Sequence, residues 1–138
     1  MLLHAKIHWP DMITIMLWPF SLKMATDRLN NFMKNNEGLS PNDVLSGVRA
    51  DLYFRDFHVF RCPVFVLDQC LQIGIGGPLK WDPRAHVGIY LGRSLCHAGN
   101  LALALTPRTG HVSPQYHVVF DDNFMTVTHM LAGTVPPN

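Results

Sequence analysis

The sequence predicts an α+β chain, helix first and a small antiparallel β-barrel after it, and three observations carry that reading. Apolar residues recur at three- and four-residue steps between Asp11 and Phe32, the period of a helix with one sticky face. From Phe57 onward the chain turns to short runs rich in Val, Phe, Ile and Tyr, broken by Gly, Pro and Asn at roughly eight- to twelve-residue intervals. At 138 residues there is room for one modest domain plus an appendage.

In the helical part, Ile15, Trp18, Leu22, Ala25, Leu29 and Phe32 form the apolar stripe, with Lys23, Asp27, Arg28 and Asn30 mostly between them. Pro10 and Asp11 suit a first helical turn, and Pro19 should kink or restart the helix, giving either one amphipathic helix or a kinked pair. Trp9, Trp18 and Phe20 are too large and apolar for a solitary helix to leave in water, so the segment wants a partner surface. Beyond Lys34 the composition shifts to a linker in which Ser40 can cap a short helical turn, Pro41 takes its first position and Gly47 ends it. The expected strands are Val59–Leu67, His86–Leu91, Leu101–Leu105 and His111–Phe120, the last two joined through Thr106-Pro107-Arg108-Thr109-Gly110, compact turn chemistry for a hairpin. Closure into a barrel is the economical arrangement for so few short strands, because it removes exposed edges. The chain thus divides into a helical segment at 1–36, a linker with a short turn at 37–56, a barrel at 57–127 and a tail at 128–138.

Composition excludes several classes of function. Hydrophobic residues make up 48% of the chain and charged residues 15%, against ~25% charged in an ordinary soluble domain, so a buried core is required. Eleven basic against ten acidic residues leave a net charge of +1, which excludes a dedicated nucleic-acid tail and makes any basic surface local. Cys62, Cys70 and Cys96 fit neither a disulfide framework nor a four-ligand zinc site. Lys6, His4 and His8 interrupt the apolar start, and Met12–Phe20 is about half a bilayer span, so neither secretion nor membrane insertion is expected. The expected location is intracellular, nucleus or cytoplasm.

Motifs of known chemistry are incomplete. His4 and His8 have zinc-helix spacing, but Ala5 stands where a metalloprotease needs its glutamate. His111 and His117 fall on one face of the last expected strand without a carboxylate or cysteine at a useful interval, and read as structural. Gly74-Ile75-Gly76-Gly77 starts like a dinucleotide loop, but Pro78 and Leu79 spoil it. Cys96 beside His97 would make a thiol hydrolase only with a third residue to orient the histidine. Asp121-Asp122 reads as a solvated strand terminus rather than a metal site. No cofactor is implied. Local charge is more informative: residues 61 to 120 carry Arg61, Lys80, Arg84, Arg93 and Arg108 against Asp68 and Asp82, a local +3. Within this stretch Lys80-Trp81-Asp82-Pro83-Arg84 sets an aromatic between two cations, a combination that meets phosphate oxygens and stacks on a base or sugar.

Four blocks of sequence in order carry a resemblance: 57–68 (FHVFRCPVFVLD), 80–85 (KWDPRA), 87–94 (VGIYLGRS) and 109–122 (TGHVSPQYHVVFDD). Together they resemble the C-terminal part of the integrase in copia-type LTR retrotransposon polyproteins. The segment from Leu3 to Asp11, Leu17-Trp18-Pro19-Phe20 and Asn30-Asn31 likewise resembles the last helices of the integrase catalytic core. The resemblance implies that residues 1–36 are a remnant of that core and that the barrel is the SH3-like domain that follows it. It also implies that the two aspartates and the glutamate which hold two divalent metals for strand transfer belong upstream of Met1, so that this piece is not itself an enzyme. Two departures stand out: glycines replace charged residues in the 73–77 loop, and Arg61 replaces the glycine usual before Cys62-Pro63.

The expected function is therefore support of DNA integration, through weak contacts with DNA that ignore sequence or through multimer assembly. Lys80, Trp81, Arg84, Arg93 and Arg108 are the expected nucleic-acid-binding residues, with self-association through the N-terminal helix as a second partner class. The alternatives are a protein-interaction module whose apolar helix docks a partner, or a non-functional retroelement remnant.

Overall fold

A computed structural model describes residues 15–49, 57–68, 71, 73, 74, 81, 83–94, 96, 97 and 101–131. The expectations for His4, His8, Cys70, Lys80 and the glycines at 76 and 77 fall outside these residues. A 3₁₀ turn at Ile15–Leu17 leads into helix α1, Trp18–Phe32. Pro19 lies in the first turn, where its missing N–H costs nothing, so it starts the helix rather than kinking it. Helix α2, Pro41–Ser46, is held by a reciprocal capping box: the Asp43 amide donates to Ser40 Oγ and the Ser40 amide to Asp43 Oδ2. Gly47, at φ +68, ends it in the left-handed region that glycine enters without strain.

Five strands form one antiparallel sheet: β1 Pro63–Leu67, β2 Ala85–Arg93, β3 Ala102–Leu105, β4 Val112–Gln115 and β5 Val118–Phe120, in the spatial order β4-β3-β2-β1-β5. Strand β2 serves two partners in turn. Its first half pairs with β1, from Ala85 opposite Leu67 to Ile89 opposite Pro63, and its second half with β3, from Ile89 opposite Leu105 to Arg93 opposite Ala102. The register slips between Tyr90 and Gly92, a bulge that bends the strand where it changes partners. Gly92, at φ +126, supplies the backbone for it and lies over Met24 of α1.

The strand expected over His111–Phe120 is two strands on opposite edges of the sheet, separated by Tyr116 and His117 alone. Four inter-strand spacings in a flat sheet amount to ~19 Å, whereas the three Cα steps from Gln115 to Val118 reach at most ~11 Å. The sheet must therefore curl until its edges approach each other. The α+β class expected from the sequence is what the structure has, and among the described residues β4 and β5 share no ladder, so the sheet is curled but not closed. Two features leave the seam unpaired: β5 is only three residues long, and Pro114 in β4 has no amide to donate.

Inward-facing residues from all layers meet in one cluster. Cys62, Val64 and Val66 alternate along and just before β1, and meet Ile89 and Leu91 of β2, Ala102 and Ala104 of β3, Leu17 and Met24 from the helical side, and Phe124 and Val127 around the last helix. That helix, α3, spans Met125–Leu131 and so runs past the expected end of the barrel at 127. Helix and sheet share a core, and the boundary expected at 36 separates elements that pack together.

The face that α1 buries is not the expected one. Leu17, Ser21, Met24 and Asn31 are buried, while Trp18, Leu22 and Leu29 stand in solvent. Polar partners far along the chain select this orientation. Asp27 accepts from Arg93 Nη2 at 3.1 Å, Arg28 donates to the carbonyl of His58, and Asn31 accepts from Asn42 Nδ2 of α2 at 3.0 Å. Rolling the helix to bury its leucines would strip these groups of partners, and a buried polar group without one costs ~1–3 kcal/mol.

Candidate nucleic-acid interface

The five expected contact residues occupy three separate parts of the fold. Trp81 and Arg84 lie in the β1–β2 connection, both exposed, Trp81 to 88%. The root of this connection is fixed where the Asp68 amide donates to the Arg84 carbonyl at 2.8 Å, which leaves the Arg84 side chain outside the ladder. Arg108 sits at the tip of the β3–β4 hairpin, where the amides of Thr109 and Gly110 both donate to the Thr106 carbonyl, at 3.2 and 2.9 Å. The turn expected from Thr106–Gly110 is thus formed, and its cation is exposed. Lys80 is outside the described residues.

Arg93 does not belong with the others. It ends β2, whereas Arg84 immediately precedes it, a separation of roughly 25–30 Å along an extended strand and less where the strand bends. Its guanidinium is held by Asp27 and lies 5.4 Å over the ring of Phe57, which packs edge-on against Phe32 at 4.3 Å. Arg93 therefore joins helix to sheet, and a phosphate would have to displace a carboxylate to reach it. Sequence spacing placed it among the cations because its partner lies 66 residues away.

Arg61, the other cation of the stretch, is wholly buried, at 0% exposure and φ +66. Its amide donates to Tyr90 O at 2.8 Å, which fixes this left-handed turn at the mouth of β1. Burial pulls the guanidinium's pKa down. This side chain adds no surface charge.

A strap of three residues, Phe57, His58 and Val59, ties α1 to the sheet. His58 stacks on Phe120, centroid to centroid 3.4 Å, and its Nδ1 meets Asp122 Oδ2 at 2.8 Å, while the Val59 amide donates to Asp122 Oδ1 at 2.7 Å. Cys62 lies beside this pair, but burial and the neighbouring Asp122 carboxylate push its thiol far above the ordinary range, so it holds its proton at neutral pH. Burial likewise pushes Tyr90 up to about 12. The Cys-Asp-His grouping is thus a packed structural cluster with no thiolate to offer.

The adjacent carboxylate is also committed. Asp121 accepts from the amides of Met125 at 3.2 Å and Thr126 at 2.7 Å, which satisfies the first turn of α3. Burial raises its pKa, but these hydrogen bonds outweigh burial and leave it below the ordinary value. Asp121 and Asp122, expected as a solvated strand end, are a helix anchor and a strap anchor. Among the described residues no group of three or more His, Cys, Asp or Glu is placed to hold a metal ion. His97 shares a hydrogen bond with Ser94 Oγ at 2.7 Å next to exposed Cys96. His111 and His117, expected on one face of one strand, flank β4 instead and are both exposed. No helix among the described residues is long and apolar enough to cross a membrane.

Comparison with protein-family models, with curated proteins and with solved structures returns no match to this chain.

Proposed function

We propose that the chain is an accessory piece of a copia-type integrase, an SH3-like small barrel with a helical appendage, that grips nucleic-acid backbone without reading sequence and takes no catalytic step itself. The observation that carries this reading is the exposed Trp81 three residues before the exposed Arg84 in the β1–β2 connection, an aromatic surface beside a cation. Two features of the fold support the resemblance behind it. The curl of the sheet, forced by the two-residue step from β4 to β5, brings it near the closed arrangement of a small barrel. The left-handed backbone at Arg61 suits glycine, the residue the resembled family carries there.

With Arg93 engaged by Asp27, the phosphate-facing set contracts to Arg84 and Arg108, with Lys80 beside Trp81 in sequence. So few contacts give a shallow salt dependence. The logarithmic slope of affinity against salt should be about −2 to −3 on duplex DNA, since each phosphate neutralised adds ~−0.9. Fluorescence anisotropy of a labelled duplex with the full chain tests this. Arg84→Glu and Arg108→Glu should each weaken binding and flatten the slope by about one, and Trp81→Ala should weaken it on single strands. Absence of binding at low salt rejects the proposal. Assembly, the second route to supporting integration, draws on the outward face of α1.

A further inference from the structure

The apolar stripe that α1 turns away from its own sheet has a register that matches itself. Trp18, Leu22, Leu29 and Met33 lie within about a third of the helix circumference, ~22 Å from end to end, with no charged residue among them. Leu22 and Leu29 are 52% and 57% exposed, Trp18 55%. At the middle stand Ala25 and Thr26, small enough for a close helix crossing. The Thr26 hydroxyl already donates to the Leu22 carbonyl at 3.0 Å, so it brings no unmet polar group to a dry interface. At its C-terminal end the stripe runs into an open dish of about 770 Å³ lined by Met33, Lys34, Asn35, Pro41, Val44 and Leu45.

We infer that this face is an isologous interface with a second copy of the chain, the two α1 helices packing antiparallel about a two-fold axis that passes between Ala25 and Thr26. That axis sets Leu22 against the partner's Leu29 and Trp18 against the partner's Met33. Each tryptophan then lies at the lip of the opposite dish, the anchor-and-pocket arrangement that dominates interface energies. The same residues satisfy both sides at once, as a two-fold contact requires. With Val44 and Leu45 the stripe exposes on the order of 700 Å² per chain, close to the ~800 Å² each partner contributes to a standard interface. A membrane surface fits less well, because an interfacial helix needs a charged face for the headgroups, and the opposite face of α1 is buried on the sheet. The inference deepens the assembly part of the proposed function and rests on that part alone.

Sedimentation velocity of the full chain across micromolar concentrations, without nucleic acid, tests it. The native chain should sediment as a dimer. Leu22→Glu and Leu29→Lys should each weaken dimerisation at least tenfold with unchanged circular dichroism, both side chains being exposed. Combining the two changes in one chain should restore the dimer, since the axis places each new glutamate against the partner's new lysine. A native chain that stays monomeric overturns the interface, as does a dimer indifferent to either single change, a double variant that stays monomeric, or a monomer that pellets with phosphatidylcholine vesicles. A monomer that still binds duplex DNA removes the interface and leaves the nucleic-acid reading standing. A DNA-inert dimer does the reverse.

Discussion

At the scale of single residues, the polar groups that look most like chemistry are committed to holding the fold. Asp27 receives both Arg93 and Asn31, and among the described residues it is the one carboxylate on the Arg93 guanidinium, whose Nε is buried without an acceptor. Asp27→Ala should therefore cost about 2 kcal/mol in urea unfolding, because it leaves a largely buried guanidinium without its carboxylate. Asp121 gives a pH-dependent counterpart. Its carboxyl titrates lower in the folded chain than in the unfolded one, so its contribution is present above its ordinary value, ~3.9, and is lost as pH falls through the depressed folded value. Asp121→Ala should remove about 1 kcal/mol at neutral pH, and the stability difference from the native chain should shrink on acidification below pH ~4. Equal differences at neutral and acid pH would contradict the assignment.

At the scale of elements, β2 decides the shape of the sheet, and Gly92 decides the shape of β2. A side chain at φ +126 is strained whatever room it finds, and a β-branched one would also press on Met24. Gly92→Val should lower the urea midpoint by an amount equivalent to more than ~1 kcal/mol with little change in m-value. Much at this scale was legible beforehand. Ser40, Pro41 and Gly47 specify α2 through local chemistry, and the Thr106–Gly110 turn joins β3 to β4 in the hairpin its residues imply. What was not legible depends on distant partners. Periodicity counts carbon, so it sent Trp18, Leu22 and Leu29 inward. The helix is oriented instead by Asn42, His58 and Arg93, whose positions relative to α1 no local window contains. The candidate site divides the same way. Arg84 and Arg108 are exposed as their loop and turn settings imply, whereas Arg61 and Arg93 are claimed by tertiary contacts invisible to a count of charges.

At the scale of the whole molecule, helix and sheet stand or fall together. Met24 and Leu17 belong to the same buried cluster as Val64 and Ile89, and the 57–59 strap adds aromatic and hydrogen-bonded ties across the joint. The outer contour of this unit depends on one short span, Tyr116 and His117, which fastens the two rims of the sheet like a drawstring. Its shortness holds the curvature, because no longer route between the rims is open to the chain. Three glycines inserted between these two residues would slacken the cord by up to ~10 Å and let the rims part. Faster amide exchange should then appear first in β4 and β5, before any loss at β1 and β2. A girdle of fixed length, rather than a row of paired edges, is what keeps this sheet wrapped around its contents.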